Sequence, residues 1–283
     1  MPRRAQVNLI YVIGLVQGLA LVTFPAASSI FTSPHGFGFS ASRYGMMFIP
    51  QVILAILASS LGPRLARRWT LKRVLLAGLS ADFLAMTLLA LSRLLQGFPG
   101  AAYITLLVAT GALGFGFGAT VMAANTYSEK FSPGRENRAV LVLNALLGAG
   151  TALAPLFVAI VVALGAWWLL PLAVAGALAV LLLISAKEPL EASVGEAAGA
   201  SSSKHLPRRF WLYAAAVLLY GIVETLNGNW SGPYLTGERG VSAQGASFAL
   251  TAFWAMVTIG RILFAALSSK TTCVGSTSAC LSY

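Results

Sequence analysis

Charged residues are scarce in this chain of 283 residues and make up only 10% of it. A soluble protein carries about 25% charged residues, whereas hydrophobic residues reach 58% here. The mean hydropathy is +0.81. This composition excludes an ordinary soluble domain and predicts a membrane protein.

Cysteine and histidine are also nearly absent. Cys273 and Cys280 fall close together, and His35 and His205 lie in hydrophilic stretches. Such a set offers no disulfide framework and no cluster of metal ligands. We therefore expect no metal and no cofactor. We expect no enzyme either, because a catalytic site needs a nucleophile with a base, or paired acids beside a metal ligand, at one bilayer depth.

Long apolar runs take the place of the missing charges. Each is about 18 to 26 residues long, which suits a helix that crosses a hydrocarbon core of ~30 Å. Strands of a membrane barrel would alternate apolar and polar residues over ~10 positions, and these runs do not alternate. The sequence predicts an all-α polytopic membrane protein with eight spans, at approximately 7–31, 44–63, 73–92, 102–125, 139–163, 167–186, 210–230 and 243–268.

The basic residues predict how these spans are oriented. With the N-terminus in the cytoplasm, all but three of the nineteen Lys and Arg residues face the cytoplasm; the exceptions are Arg43, Arg93 and Arg239. Arg261 is counted at the cytoplasmic end of the eighth span. The net charge of +11 is then a topology signal. Its expected partner is anionic lipid rather than nucleic acid, and we predict a cell membrane (inner or plasma) location with both termini cytoplasmic.

The stretch 187–209 divides the predicted spans. It is rich in Ala, Gly, Ser and Glu, a composition that favours a flexible cytoplasmic linker over a packed domain. Six spans precede it within 1–186, and two follow it within 210–268. Six helices, a linker and then further helices is the plan of a transporter built from two halves.

Three stretches carry a resemblance to a known family. They are the basic loop 62–73, the glycine-rich run 111–127 with its continuation 143–155, and the stretch 220–261. Together they resemble the major facilitator superfamily, and in particular its fucose-permease-like sugar/proton symporters. Close packing through small residues explains the run Gly114-x-Gly116-x-Gly118, which lies inside an apolar helix.

The basic loop is similar to the family pattern Gly-x-x-x-Asp-Arg-x-Gly-Arg-Arg. The residues that keep its outline are Gly62, Arg67, Arg68, Lys72 and Arg73. Ala66 stands where the family has Asp, and Trp69 where it has Gly. The resemblance implies that this loop fixes the topology and helps to latch the cytoplasmic side.

The family has twelve helices, whereas eight are predicted here. The stretch 269–283 is rich in Ser and Thr and lacks helical periodicity. We expect it to be a disordered or aberrant tail, produced by a shifted frame or a premature stop, and we expect the chain as given to transport poorly or not at all.

Glu224 is the strongest candidate for a functional residue. It lies about 14 residues into the seventh predicted span, or ~21 Å along the helix, and ionisable groups inside a membrane are functional candidates by default. Tyr220 and Asn227 share its helical face. We predict that Glu224 couples transport to protons and contacts substrate with Tyr220 and Asn227. The alternative is a neutral carboxyl group that bonds to another helix.

Asp82 and Gln17 are further candidates. Asp82 lies in the third predicted span; it is a second candidate for proton coupling, or else a structural partner, because the resemblance places that helix at the periphery. Gln17 shares a polar face with Gly14 and Gly18. The resemblance implies that its helix lines the cavity, so Gln17 is predicted to bind a hydroxylated substrate, with interhelix bonding as the alternative.

These features predict a secondary active transporter. It would move a small polar organic solute, with a sugar as the favoured example, together with protons by alternating access. Two alternatives stay open. Efflux of hydrophobic drugs would need a mainly apolar cavity and a basic residue in the fourth helix, and a non-transporting fragment would pair with another protein.

Overall fold

The structure is a computed structural model that describes the backbone of residues 4–190 and 208–275, and the side chains of these ranges up to residue 263. The regular structure in these ranges is helical. Its α-helices are α1 (Arg4–Ala26), α2 (Ser28–Thr32), α3 (Ala41–Met46), α4 (Ile49–Arg68), α5 (Leu71–Leu91), α6 (Pro99–Lys130), α7 (Glu136–Ala163), α8 (Leu169–Lys187), α9 (Arg208–Gly237) and α10 (Ala243–Gly275). A 3₁₀ turn, Ser92–Leu95, follows α5.

The helices form eight stretches that are long and apolar enough to cross a membrane. This confirms the predicted all-α membrane fold. α1 and α2 together make the first stretch, and α3 and α4 make the second. Pro50 lies in the first turn of α4, where a proline costs no helical hydrogen bond.

Two helix ends differ from the prediction. α9 continues to Gly237, beyond the predicted end at residue 230. α10 continues to Gly275, so the backbone of 269–275 is helical rather than part of a tail. The rest of that tail and most of the predicted linker 187–209 lie outside the described residues, and the division into domains stays a prediction.

Small residues let the helices pack closely. α4 and α5 both pack against α6, and α1 packs against α7. In α6, a Cβ at Gly114 would overlap the backbone of Gln51 on α4, and one at Gly116, on the opposite face, would overlap Asp82 on α5. The prediction that the glycine run serves close packing is therefore confirmed.

The last two helices, α9 and α10, pack against only some of the preceding helices. α10 packs mainly on α7. α9 buries only Gly228 and Gly232 among its described residues. Near this contact Tyr44 of α3 donates a hydrogen bond to the Asn229 carbonyl at 2.9 Å, and its ring meets that of Trp230 edge-on. Glu224 lies one helical turn before Gly228 and lines a cavity between α9 and other helices.

Candidate functional site

A cavity of ≈ 350 Å³ lies between α1, α4, α6 and α7 on one side and α9 and α10 on the other. Both polar and apolar side chains form its wall. The polar residues of the wall are Gln51, Thr151, Glu224, Thr225, Asn229, Thr258 and Arg261. Because helices from both sides of the predicted linker build this cavity, relative movement of the two groups of helices would change its shape.

An ion pair lies in the wall of this cavity. Nη2 of Arg261 on α10 donates to Oε1 of Glu224 on α9 at 2.6 Å, and the same nitrogen donates to the Tyr220 hydroxyl at 3.0 Å. The Glu224 side chain is 16% exposed, and that of Arg261 is 49% exposed. Burying an ionised group is costly unless it is paired. Arg261 therefore supplies the counter-charge that keeps a carboxylate at this position.

The position of Arg261 differs from the predicted one. The sequence predicts Arg261 at the cytoplasmic end of the eighth span, whereas its guanidinium bonds to a carboxylate from the middle of α9. α10 also continues well past Arg261, to Gly275. The signal in the sequence was a basic residue inside an apolar run that follows the run containing Glu224.

Two further polar groups of the wall were not predicted. Oε1 of Gln51 and Nε1 of Trp254 are buried and have no hydrogen-bond partner among the described residues. Both residues line the cavity, and one offers an acceptor while the other offers a donor. Buried polar groups normally have partners. A polar ligand with hydroxyl groups would satisfy both.

Two of the three threonines of the wall donate hydrogen bonds to carbonyl groups of their own helices. Thr258 donates to the Trp254 carbonyl at 2.8 Å, and Thr151 donates to the Gly148 carbonyl at 2.7 Å. Their hydroxyl oxygens can still accept a bond from a ligand.

Gln17 and Asp82 meet in a separate, fully buried cluster. Thr120 donates to Oδ2 of Asp82 at 3.2 Å. The Gln17 amide approaches the same carboxyl group without reaching hydrogen-bond geometry, and Oδ1 of Asp82 makes no hydrogen bond with the described residues. Neither residue lines the cavity that holds Glu224. Both polar atoms of the Gln17 side chain are buried without a hydrogen-bond partner among the described residues, so its role in substrate binding or between helices stays a prediction.

Of the two residues predicted to act with Glu224, the structure places Tyr220 near it and Asn227 elsewhere. Tyr220 is joined to it through Arg261. Asn227 instead donates to the Val223 carbonyl of its own helix at 2.8 Å and lines a different pocket, beside Trp230. Tyr220 and Asn227, which were predicted to share one face of the helix with Glu224, therefore lie at different sites: Tyr220 bonds to Arg261 and Asn227 lines the second pocket.

The basic loop 62–73 lies at the opposite end of the helices from Tyr44. Gly62 is buried, and Arg67, Arg68 and Arg73 are exposed. A Cβ at Gly62 would contact the Met122 side chain on α6. The arginines thus face outward, in keeping with a headgroup contact.

Lys72 of this loop has a defined partner. Its Nζ donates to the carbonyls of Ala186 and Glu188, at 2.8 and 2.7 Å. These carbonyls belong to the end of α8, where unpaired carbonyl groups favour a cation. Lys72 therefore secures the end of the sixth span.

Two neighbouring bonds hold the residues that follow α8. Gln6 donates to the Pro189 carbonyl at 2.9 Å, and the Tyr127 hydroxyl donates to the Leu190 carbonyl at 3.1 Å. The start of the predicted linker is thereby fixed to α1 and α6.

The helical bundle and its cavity define a class, the polytopic membrane transporters. The chain belongs to the Major Facilitator Superfamily, whose family model matches residues 7–282. No curated protein and no solved structure matches the chain. The superfamily resemblance is thus confirmed, and the protein is a secondary transporter of the multi-pass type. The fucose-permease-like branch and the incomplete length stay predictions.

Proposed function

We propose that this protein carries a small polar, hydroxylated solute of the sugar type together with a proton. The supporting observation is the pair Glu224–Arg261, which joins α9 to α10 in the wall of a cavity that α1, α4, α6 and α7 also line. A carboxylate that faces a cavity and has a single counter-ion can bind a proton and lose that counter-ion. This is the chemistry that proton coupling requires.

The solute would lie against the aromatic and polar parts of the wall. Phe48, Phe117 and Trp254 offer apolar faces for the carbon skeleton, and Gln51 offers an acceptor for a hydroxyl group. Polar and charged side chains interrupt the apolar part of this wall. α6, the fourth span, carries no basic residue before Lys130 at its end, whereas drug efflux would need one within that helix. In the present arrangement Gln17 and Asn227 lie away from the cavity, and their contact with substrate stays a prediction.

Protonation of Glu224 would also change how the helices hold together. The ion pair links α9 to α10 beside the hydrogen bond from Arg261 to Tyr220, and a neutral carboxyl group binds a guanidinium less strongly than a carboxylate does. Loss of the link would let the two helices shift against α1 and α7. Alternating access would follow from that movement, in an inner or plasma membrane with both termini in the cytoplasm.

Proton uptake on solute binding tests this proposal. The purified protein, in detergent and weak buffer with a pH-indicator dye, is mixed with a panel of hexoses, polyols and sugar acids. At least one solute should produce a rise in pH, and Glu224→Gln should abolish the rise. Glu238→Gln is the matched control, because Glu238 lies just after the end of α9 and outside this cavity. An unchanged rise in Glu224→Gln would refute the assignment, and no rise with any solute would refute proton coupling.

A further inference from the structure

The geometry points to a narrower substrate class, an inference that rests on the proposed function. We propose that the solute is a polyhydroxylated carboxylate, such as a sugar acid, and that Arg261 binds its carboxylate group. On binding, the solute carboxylate replaces Glu224 as the partner of Arg261, and Glu224 takes up the proton.

Charge balance within the cavity supports this exchange. Among the described residues of the wall, Glu224 and Arg261 are the charged side chains, so their charges cancel when they are paired. A neutral solute that arrives with a proton would leave the half-exposed guanidinium of Arg261 without a counter-charge in the cavity wall. An anion that arrives with a proton keeps the site neutral. The cavity therefore favours an anionic solute.

The bonding of Arg261 leaves donors for a second carboxylate. A guanidinium can hold a carboxylate through two parallel hydrogen bonds, yet Arg261 uses only Nη2 toward Glu224. Nη2 also serves the Tyr220 hydroxyl, and no described residue bonds to the other two nitrogens. The side chain is half exposed. Tyr220 would keep Arg261 in place after Glu224 leaves.

Glu224 is the carboxyl group of the cavity wall among the described residues. The titratable groups that face it are Tyr220 on its own helix and Arg261 on α10. Tyr44, from α3, lies against α9 further along and donates to the Asn229 carbonyl. The parts of the wall that come from α1, α4, α6 and α7 contribute no titratable side chain among the described residues. A pH dependence of anion binding would therefore arise from Glu224.

The rest of the wall suits the hydroxyl groups of such a solute. Gln51 can accept a bond and Trp254 can donate one, and neither group has a partner among the described residues. A carboxylate at Arg261 and hydroxyl groups at these two positions would satisfy polar atoms on both sides of the cavity.

The test is equilibrium binding of D-gluconate to the purified full chain, compared with gluconamide, its neutral counterpart of nearly equal shape. Gluconate should bind at least tenfold more tightly, and its affinity should rise about tenfold for each unit by which the pH falls, as the uptake of one proton requires. In Glu224→Gln, gluconate binding should lose its pH dependence. In Arg261→Gln, it should weaken about tenfold or more.

Arg239→Gln is the matched control for Arg261→Gln. Arg239 also donates to a tyrosine hydroxyl, that of Tyr234, at 2.8 Å, but it lies outside the cavity. This variant should bind gluconate as the unmodified protein does. If Arg261→Gln does not fold, the comparison of gluconate with gluconamide in the unmodified protein decides the question.

Three results would overturn the inference. They are equal binding of gluconate and gluconamide, gluconate binding that ignores pH in the unmodified protein, and full binding in a folded Arg261→Gln variant. A fourth result, proton uptake through Glu224 that is driven by a neutral sugar, would also overturn the inference and would leave the proposed function standing. The absence of proton uptake through Glu224 with every solute would instead remove the proposed function.

Discussion

Replacement of Gln51 by methionine should weaken solute binding without destabilising the protein. Oε1 of Gln51 is buried, lines the cavity and has no partner among the described residues. Methionine has a similar length and volume, so packing should change little. Removal of a buried, unpaired polar group relieves a penalty of about 1–3 kcal/mol. The free energy of unfolding should therefore stay the same or increase.

Binding should change in the opposite direction. If a solute hydroxyl donates to Gln51, the substitution removes a hydrogen bond worth about 0.5–1.5 kcal/mol, which lowers the affinity roughly two- to tenfold. The assay is equilibrium binding of the solute that the panel identifies, paired with thermal unfolding in the same detergent. A loss of affinity together with unchanged or increased stability is the pattern expected of a side chain that binds the ligand rather than one that stabilises the fold.

Gln6→Met is the matched control for this experiment. Gln6 donates to the Pro189 carbonyl at 2.9 Å, far from the cavity wall. The same substitution there removes a satisfied bond, so stability should fall by about 1 kcal/mol and affinity should not change. The reasoning is refuted if Gln51→Met destabilises the protein as Gln6→Met does, or if it leaves affinity intact.

Three other tests address the packing around α6, the second polar cluster and the end of α8; the first and the third each have a matched control substitution. Gly116→Ala should destabilise the protein by about 1–3 kcal/mol because the new Cβ would overlap Asp82. Gly176→Ala is the control: its Cβ would meet open space, so it should stabilise the protein by up to about 1 kcal/mol. Thermal unfolding compares the two variants, and equal effects would contradict the close packing at Gly116. Asp82→Asn should keep solute-driven proton uptake, because Asp82 lies outside the cavity wall, and loss of uptake would make it a coupling residue. Lys72→Met should speed proteolysis after α8 because the carbonyl groups of the last turn of α8 lose their partner. Arg73→Met, at an exposed neighbouring position, should be cleaved at the rate of the unmodified protein. Equal rates for the two variants would show that Lys72 does not secure the end of α8.

The spans were predictable because their apolar length depends on the sequence alone. The bilayer sets that length, so all eight spans appear near their predicted positions. The ends of α9 and α10 were less predictable, since both helices continue through polar residues that hydropathy treats as loops.

The candidate site was predictable only in part. Glu224 and Tyr220 could be grouped because a helix fixes their spacing. Arg261 could not be joined to them, because that contact depends on how α10 packs beside α9. The burial of Gln17 against Asp82 likewise depends on the packing of α1 and α5. The sequence therefore predicted which residues share a face of one helix, but it did not predict which residues meet between helices.

The protonation of Glu224 on solute binding is the central claim, and infrared difference spectroscopy measures it directly. When the solute identified by the panel is added to the purified protein, the C=O stretch of a newly protonated carboxylic acid should appear. The band should vanish in Glu224→Gln and remain in Asp82→Asn. A spectrum without the band, or a band that remains in Glu224→Gln, would contradict the account.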